Sequence, residues 1–436
     1  MQRAEESGSG AAELLLRESD KLELYSRSRD GAMLALGIAF VLLQRLVIPV
    51  GGAQIPANLV LVISYLAIGL LSGRIVAVPS RLAIWLTFVG LSTLSTMVSD
   101  SRSSVLSLAQ VLVYWSVLST QGLDSRGARR LLTGVVGATA GAAAFALVQY
   151  IASSAAGVFL DPLSGLSERL LVQGYNTTYG VDLLGGWEKS NGGVFLEPSF
   201  LSLMSALSIV FVMQRVVFDS LGWKTRTAVV LLLATGLLTS TALSGLLVLP
   251  LILLSVLRDL RSGLLLAGVL AIVWATVQVL PVTQAYLLRL GSTGSNEARL
   301  VRPYTELLPV GLENRPLLGF GPGAADLTAS ALSGGQWVAE VTAPTVVKLL
   351  FEYGGLGGGM LLLLLLIVAV GSPLPAISKI ALLVALVVPT NGLVNPLITP
   401  IVLIALSHGR NVGKNGTRRR GRLGDRRPST LEGVKT

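Results

Sequence analysis

The chain has 436 residues, of which 52% are hydrophobic and only 13% charged, and its mean hydropathy is +0.70. A water-soluble chain of this length needs far more polar surface, so soluble enzymes and soluble binding modules are excluded. Cysteine is absent and histidine occurs once, at His408, which leaves no room for disulfides or thiolate chemistry and little for histidine metal sites or proton relays. The net charge of +10 points to nucleic acid only until it is located. From His408 onward the chain holds nine Lys/Arg against two Asp/Glu, leaving +3 for all the rest. A basic run after a last membrane helix reads as a cytoplasmic anchor at anionic headgroups, not as a nucleic-acid contact.

In chain order, residues 1–30 mix both signs of charge and lack the apolar core of a cleavable signal peptide. Residues 11–25 fit either a short interfacial helix through Leu14, Leu15, Leu22 and Leu24 or a disordered tail. Apolar runs long enough to cross ~30 Å of hydrocarbon then recur, about twelve of them. They lie near 31–50, 55–73, 82–98, 103–121, 131–152, 196–214, 226–240, 242–257, 263–280, 344–370, 377–391 and 393–407. The expected fold is an all-α polytopic membrane protein: a cytoplasmic segment 1–30, a transmembrane domain 31–407 and a basic cytoplasmic tail 408–436. No internal repeat and no second soluble domain is visible.

Charge sorts the connections. One set of loops carries Arg74 and Arg81; Arg126, Arg129 and Arg130; Arg215, Lys224 and Arg226; Arg258 and Arg261; and Lys379. The opposite short loops, near 51–54, 99–102, 241 and 392, carry only Arg102. Positive short loops mark the cytoplasm, so both termini are expected inside. Two long segments, 153–195 and 281–343, then face outward. Loops of that length have no structural necessity in a helical membrane protein and are commonly functional.

The larger outer loop contains "EARLVRPYTELLPVGLENRPLLGFGPG", residues 297–323. Pro303 disfavours helix at Arg302, so the expected geometry is a turn holding Arg299 and Arg302, with Pro303 opening a short helix that carries Glu306. Arg315 follows at another proline boundary. Guanidiniums are permanently charged and present a planar fork matched to phosphate oxygens. The alternative is a solvated loop whose arginines pair with Glu297, Glu306 and Glu313.

Two further stretches carry charge at membrane boundaries. In "EKSNGGVFLEPSF" Glu197 precedes Pro198 where a helix begins. A carboxylate there complements the helix dipole, and it is equally a place to house a general base. In "KLLFEYGGLGGG" Lys348 and Glu352 lie four apart on one helical face inside an apolar run. They fit either mutual neutralisation or a binding role. Arg45 is expected to snorkel or pair internally. Tyr353, Trp187 and Trp337 fit interfacial anchors or sugar-stacking platforms.

Across these stretches the sequence resembles the O-antigen ligase and O-antigen polymerase superfamily of bacterial envelope glycosyltransferases. The echoes are "GGVFLEPSF", then "TSTALSGLLVLPL", then an outer loop with an arginine followed by "RPLLGFGPG", and finally "LLFEYGGLG", in order over residues 190–360. Each motif is weak alone; four in order are moderately specific. The chain departs from the family in two places. Ala343, in "VTAPTVV", stands where family ligases carry a histidine, and Lys189 is the nearest cation where an arginine often precedes the Phe-x-Glu-Pro stretch. Both departures favour a polymerase of a surface or exopolysaccharide over a ligase.

The resemblance implies a membrane glycosyltransferase C-like fold in a bacterial plasma membrane. It also implies undecaprenyl-diphosphate-linked oligosaccharides as donor and acceptor. Arg299 and Arg302, with Arg315, would bind the diphosphate. Glu197 is the first candidate for the base and Glu340 the second; Lys189, Lys348 and Glu352 are candidate substrate contacts. No outer-loop Asp-x-Asp pair appears, so metal-independent chemistry is expected, with no cofactor. Membrane lipids, and a chain-length regulator or a flippase, are the partners implied. A finished-glycan ligase is the alternative within the class. A secondary transporter or flippase is the alternative outside it, kept open by Pro250, Pro396 and Pro400.

Overall fold

The computed structural model describes residues 31–51, 53–99, 104–173, 175, 180–181, 187–240, 242–257, 301–325, 327–328, 343–388 and 393–409. The chain is mostly helical. In order it forms α1 (Gly31–Leu42), the hairpin β1 (Val47–Val50) and β2 (Ala53–Pro56), and α2 (Ala57–Leu71). There follow β3 (Ile75–Ala77), α3 (Pro79–Val98), α4 (Val105–Ser116), β4 (Thr120–Gly122) and α5 (Ser125–Ala156). Next come β5 (Gly180–Val181), β6 (Trp187–Glu188), α6 (Pro198–Met213), α7 (Trp223–Thr239) and α8 (Leu249–Leu257). The last described elements are α9 (Leu308–Asn314), α10 (Thr345–Gly371), α11 (Ala376–Val387) and α12 (Ile398–Ser407).

Three helices, α3, α5 and α10, are long and apolar enough to cross a membrane. The apolar helices α1, α2, α4, α6, α11 and α12 run 10–17 residues, short of the ~20 that a crossing needs. Two of these are interior elements: every residue of α12 is buried, as is nearly all of α6. Local chemistry sets the ends. Ser104 Oγ accepts the Ser107 N–H at the start of α4, Asp124 Oδ1 accepts the Arg126 N–H at the start of α5, and prolines open α3 and α6.

Two expected spans are reshaped. The run 31–50 is helical only to Leu42, because β-branched Val47, Ile48 and Val50 pair in register with Pro56, Ile55 and Ala53 as a hairpin. The run 242–257 is a 3-10 segment over Leu243–Val248 followed by α8.

Segments that charge assigns to one side meet one another. β3 pairs with β4, Gly122 bridges to His408, and the Arg81 guanidinium donates to the Thr120 carbonyl. On the other assigned side Leu46 bridges to Leu171, the Ser104 N–H donates to the Pro322 carbonyl at 2.7 Å, and the Ser190 N–H donates to the Thr239 carbonyl.

Candidate active site

The stretch "LLFEYGGLG" lies in α10, and the helix is broken inside it. Gly354 has φ 67° and ψ −177°, so backbone groups on either side lose their intrahelical partners. Such a break is tolerable in an apolar interior only where other groups satisfy the backbone. The "RPLLGFGPG" loop does so. Phe320 and Gly321 N–H donate to the carbonyls of Phe351 and Glu352, both at 2.9 Å. From beyond the break, Gly355 and Leu356 N–H donate to the carbonyls of Pro316 and Leu317, at 2.7 and 3.2 Å. The two motifs form one unit.

Charge sits inside this unit. Lys348 Nζ lies 3.8 Å from Glu352 Oε1, with both side chains almost fully buried. The same oxygen accepts the Ala325 N–H at 3.4 Å. Glu352 thus joins the buried cation of α10 to the chain just after the glycine loop.

Arg315 sits at the C-terminal end of α9. Its guanidinium carbon is 5.2 Å from the centroid of the Phe320 ring, and that ring stacks on Phe351 at 4.8 Å with an 11° interplanar angle. Phe351 is fully buried. Arg302 is placed otherwise than expected. It has helical dihedrals, φ −55° and ψ −39°, and leads directly into a π-helical turn over Pro303–Leu307. The residue before a proline is biased away from helix; here the wider π turn carries the chain through. Arg302 Nε lies 3.7 Å from Glu306 Oε1, and both side chains are more than 40% exposed.

Glu197 belongs to a second polar assembly. It is the residue before Pro198 at the start of α6, with φ −143° and ψ 157°, and its carboxylate makes no capping bond to the helix. Instead Oε2 accepts the Ser199 hydroxyl at 2.8 Å. The chain leading to it is fixed at Asn191–Gly193. Gln149, on α5, accepts the Gly192 N–H at 2.8 Å and donates to Asn191 Oδ1 at 3.1 Å. Asn191 Oδ1 also accepts the Gly193 N–H. Gly192 and Gly193 both take left-handed dihedrals, and a Cβ on Gly192 would fall 2.7 Å from the Ala142 carbonyl oxygen. Lys189 lies two residues before this turn, half-buried.

Arg45 reaches the same turn. It pairs with Asp161 through two N–O contacts of 2.8 Å and donates to the Gly193 carbonyl at 2.8 Å. Burial by itself raises the Asp161 carboxyl. The Arg45 hydrogen bonds, the Leu163 N–H and the Arg45 charge outweigh it and hold the group below its ordinary value.

The expected site residues are therefore distributed. Lys348, Glu352 and Arg315 share the broken-helix unit, Glu197 and Lys189 flank the Asn191–Gly193 turn, and Arg302 lies on an exposed helical turn. Arg299, Glu340 and Trp337 fall outside the described residues, as do the termini and the expected span 263–280. Tyr353 is neither an interfacial anchor nor a sugar platform: it is buried and packs its ring 5.3 Å from that of Phe88. Among the described residues no group of three or more His, Cys, Asp or Glu is placed to hold a metal ion. Sequence reasoning does not single out Gln149, Asn191 or Phe320. The signals for them are a glutamine inside the apolar run of α5, a Ser-Asn-Gly-Gly turn, and an Arg-to-Phe spacing of five. No protein family model matches the chain, and no curated protein matches it.

Proposed function

We propose that the protein is a membrane glycosyltransferase that polymerises lipid-diphosphate-linked oligosaccharide repeat units into a surface or exopolysaccharide on the outer face of a bacterial plasma membrane. About twelve spans with both termini inside are part of this proposal. The observation that carries it is the joining of "RPLLGFGPG" to the "EYG" break of α10, which unites two of the four stretches that resemble the O-antigen ligase and polymerase superfamily. Outside the cytoplasm a sugar donor must arrive on a lipid, and its diphosphate calls for fixed cations. Arg299, Arg302 and Arg315 would grip the diphosphate and stabilise the charge growing on it as the glycosidic bond breaks, at about 3–4 kcal/mol for a well-placed donor in a desolvated site. Glu197, with Glu340 as second candidate, would take the proton from the acceptor hydroxyl. Lys189, Lys348 and Glu352 would contact or frame the substrate.

One observation favours a second reading. Broken helices bearing charge are the usual machinery of secondary transporters, and α10 is broken at Gly354 beside a buried Lys348–Glu352 pair. A carrier of lipid-linked glycan is that reading. The membrane glycolipids of a deletion strain decide between them. Single repeat units accumulated on the outer leaflet indicate a polymerase, and full-length lipid-linked chains indicate a ligase. Repeat units confined to the inner leaflet indicate a transporter and sink the enzyme reading.

A further inference from the structure

We propose that Arg81 and Lys379 form a site for the phosphate of an anionic phospholipid at the C-terminal end of α10. The site lies at the far end of that helix from the Gly354 break, on the side that loop charge assigns to the cytoplasm. It goes beyond the glycan reading above and does not rest on it.

Two cations approach one short stretch, Val370–Ser372, from different elements. Arg81, in the first turn of α3, donates through Nη1 to the Thr120 carbonyl at 3.3 Å, and a Cβ on Gly371 would lie 3.4 Å from its Nη2. Lys379, in α11, reaches back so that its Nζ lies 3.4 Å from the Val370 carbonyl oxygen and 3.5 Å from that of Ser372. Both residues are half-buried. The plain reading is that they cap α10, whose C-terminus carries about half a negative charge. That offsets only part of two full positive charges, and the N-terminus of α3 beside Arg81 adds about as much positive charge back. Among the described residues neither cation pairs with a carboxylate. The carbonyl contacts are long and few for an ammonium and a guanidinium, so donors remain for an anion. The surroundings say which anion. Leu363, Leu366, Ile367 and Val370 are exposed at helical spacing along α10, Val370 at 78%, and Ile380 is exposed beside Lys379. This apolar stripe ends at the two cations, as acyl chains end at a headgroup. A lipid phosphate therefore fits better than a free one, with the cations on the headgroup and the chains along the stripe.

The test titrates the full chain, in a neutral detergent, with soluble dihexanoyl-phosphatidylglycerol, dihexanoyl-phosphatidylcholine and glycerol phosphate. High salt screens the basic tail more than the half-buried site. The wild type is expected to bind phosphatidylglycerol in preference to both other probes. R81Q and K379Q should each weaken that binding about fivefold, the scale of one basic side chain at an anionic headgroup. R126Q/R129Q, which removes two exposed cations at the start of α5, should leave it unchanged. Where R81Q does not assemble, K379Q alone decides. Unchanged affinity in K379Q, an equal loss in R126Q/R129Q, or a wild type that does not prefer phosphatidylglycerol to phosphatidylcholine overturns the proposal. Equal affinity for glycerol phosphate means an anion site without a lipid and overturns it too. Each of these outcomes leaves the glycan reading standing.

Discussion

Gly319 and Gly354 interlock. A Cβ on Gly319 would stand 2.5 Å from the Gly354 nitrogen, and a Cβ on Gly354 would stand 2.2 Å from the Leu317 carbonyl oxygen. Both residues have positive φ, so each needs glycine for its conformation and for the close approach of the other's backbone segment. Gly354→Ala should therefore cost ~2 kcal/mol or more and loosen the glycine loop from α10. Gly359 is the control, because a Cβ there would meet nothing within 4 Å and its surroundings are helical. Gly359→Ala should be neutral or stabilise by up to ~1 kcal/mol. Thermal unfolding in detergent measures both, and equal effects would contradict the interlock.

Arg45 and Asp161 tie the end of the first helical segment to the Asn191–Gly193 turn. Arg45 is almost fully buried, so Asp161→Asn leaves an uncompensated cation and should cost ~3 kcal/mol. The pH dependence has a definite sign. The folded carboxyl lies below its ordinary 3.8, so its contribution is present above that value and disappears as pH falls through the lower folded value. Melting temperatures of the wild type should show a loss below pH 3.8 that Asp161→Asn lacks. Parallel curves would remove the pair from the account.

Lys348 and Glu352 form a buried pair, and removing one charge strands the other. Glu352→Gln and Lys348→Met should each destabilise by ~3 kcal/mol, and the double substitution should recover most of the loss. The same melting assay reads this. Additive losses would mean that each residue answers to a different partner.

Arg302 is a surface residue, and its contact with Glu306 is worth no more than ~0.5 kcal/mol. Arg302→Ala should leave stability unchanged within that margin yet shorten the glycan chains made in cells. A normal chain-length ladder would remove Arg302 from the diphosphate site.

Helix positions are largely legible in the sequence because apolar runs announce themselves: α3 begins three residues before the expected 82–98, and α10 lies within a residue of 344–370. Turn-level geometry is not. The run "FEYGGLGGG" reads as uninterrupted apolar helix, and only the loop that pairs with it reveals which of its glycines breaks. The proline rule puts Arg302 in a turn, since a π-helical turn depends on packing around Pro303 and Leu307, which are buried. The Val47–Pro56 hairpin is hidden because β-branched residues suit both a lipid-facing helix and a short strand. The stack of Phe320 on Phe351 is not legible either, because the two rings are distant in sequence and meet only where the glycine loop pairs with α10.

The most direct measurement concerns which side the glycine loop faces. The chain contains no cysteine, so single cysteines report cleanly. Leu317 is 60% exposed and uses only its backbone in the join to α10, while Lys224 lies exposed at the start of α7 on the opposite assigned side. In intact spheroplasts a membrane-impermeant maleimide should label Leu317→Cys at once and Lys224→Cys only after permeabilisation. Labelling of Lys224→Cys first, with Leu317→Cys protected, would place the guanidiniums in the cytoplasm and contradict a lipid-diphosphate donor.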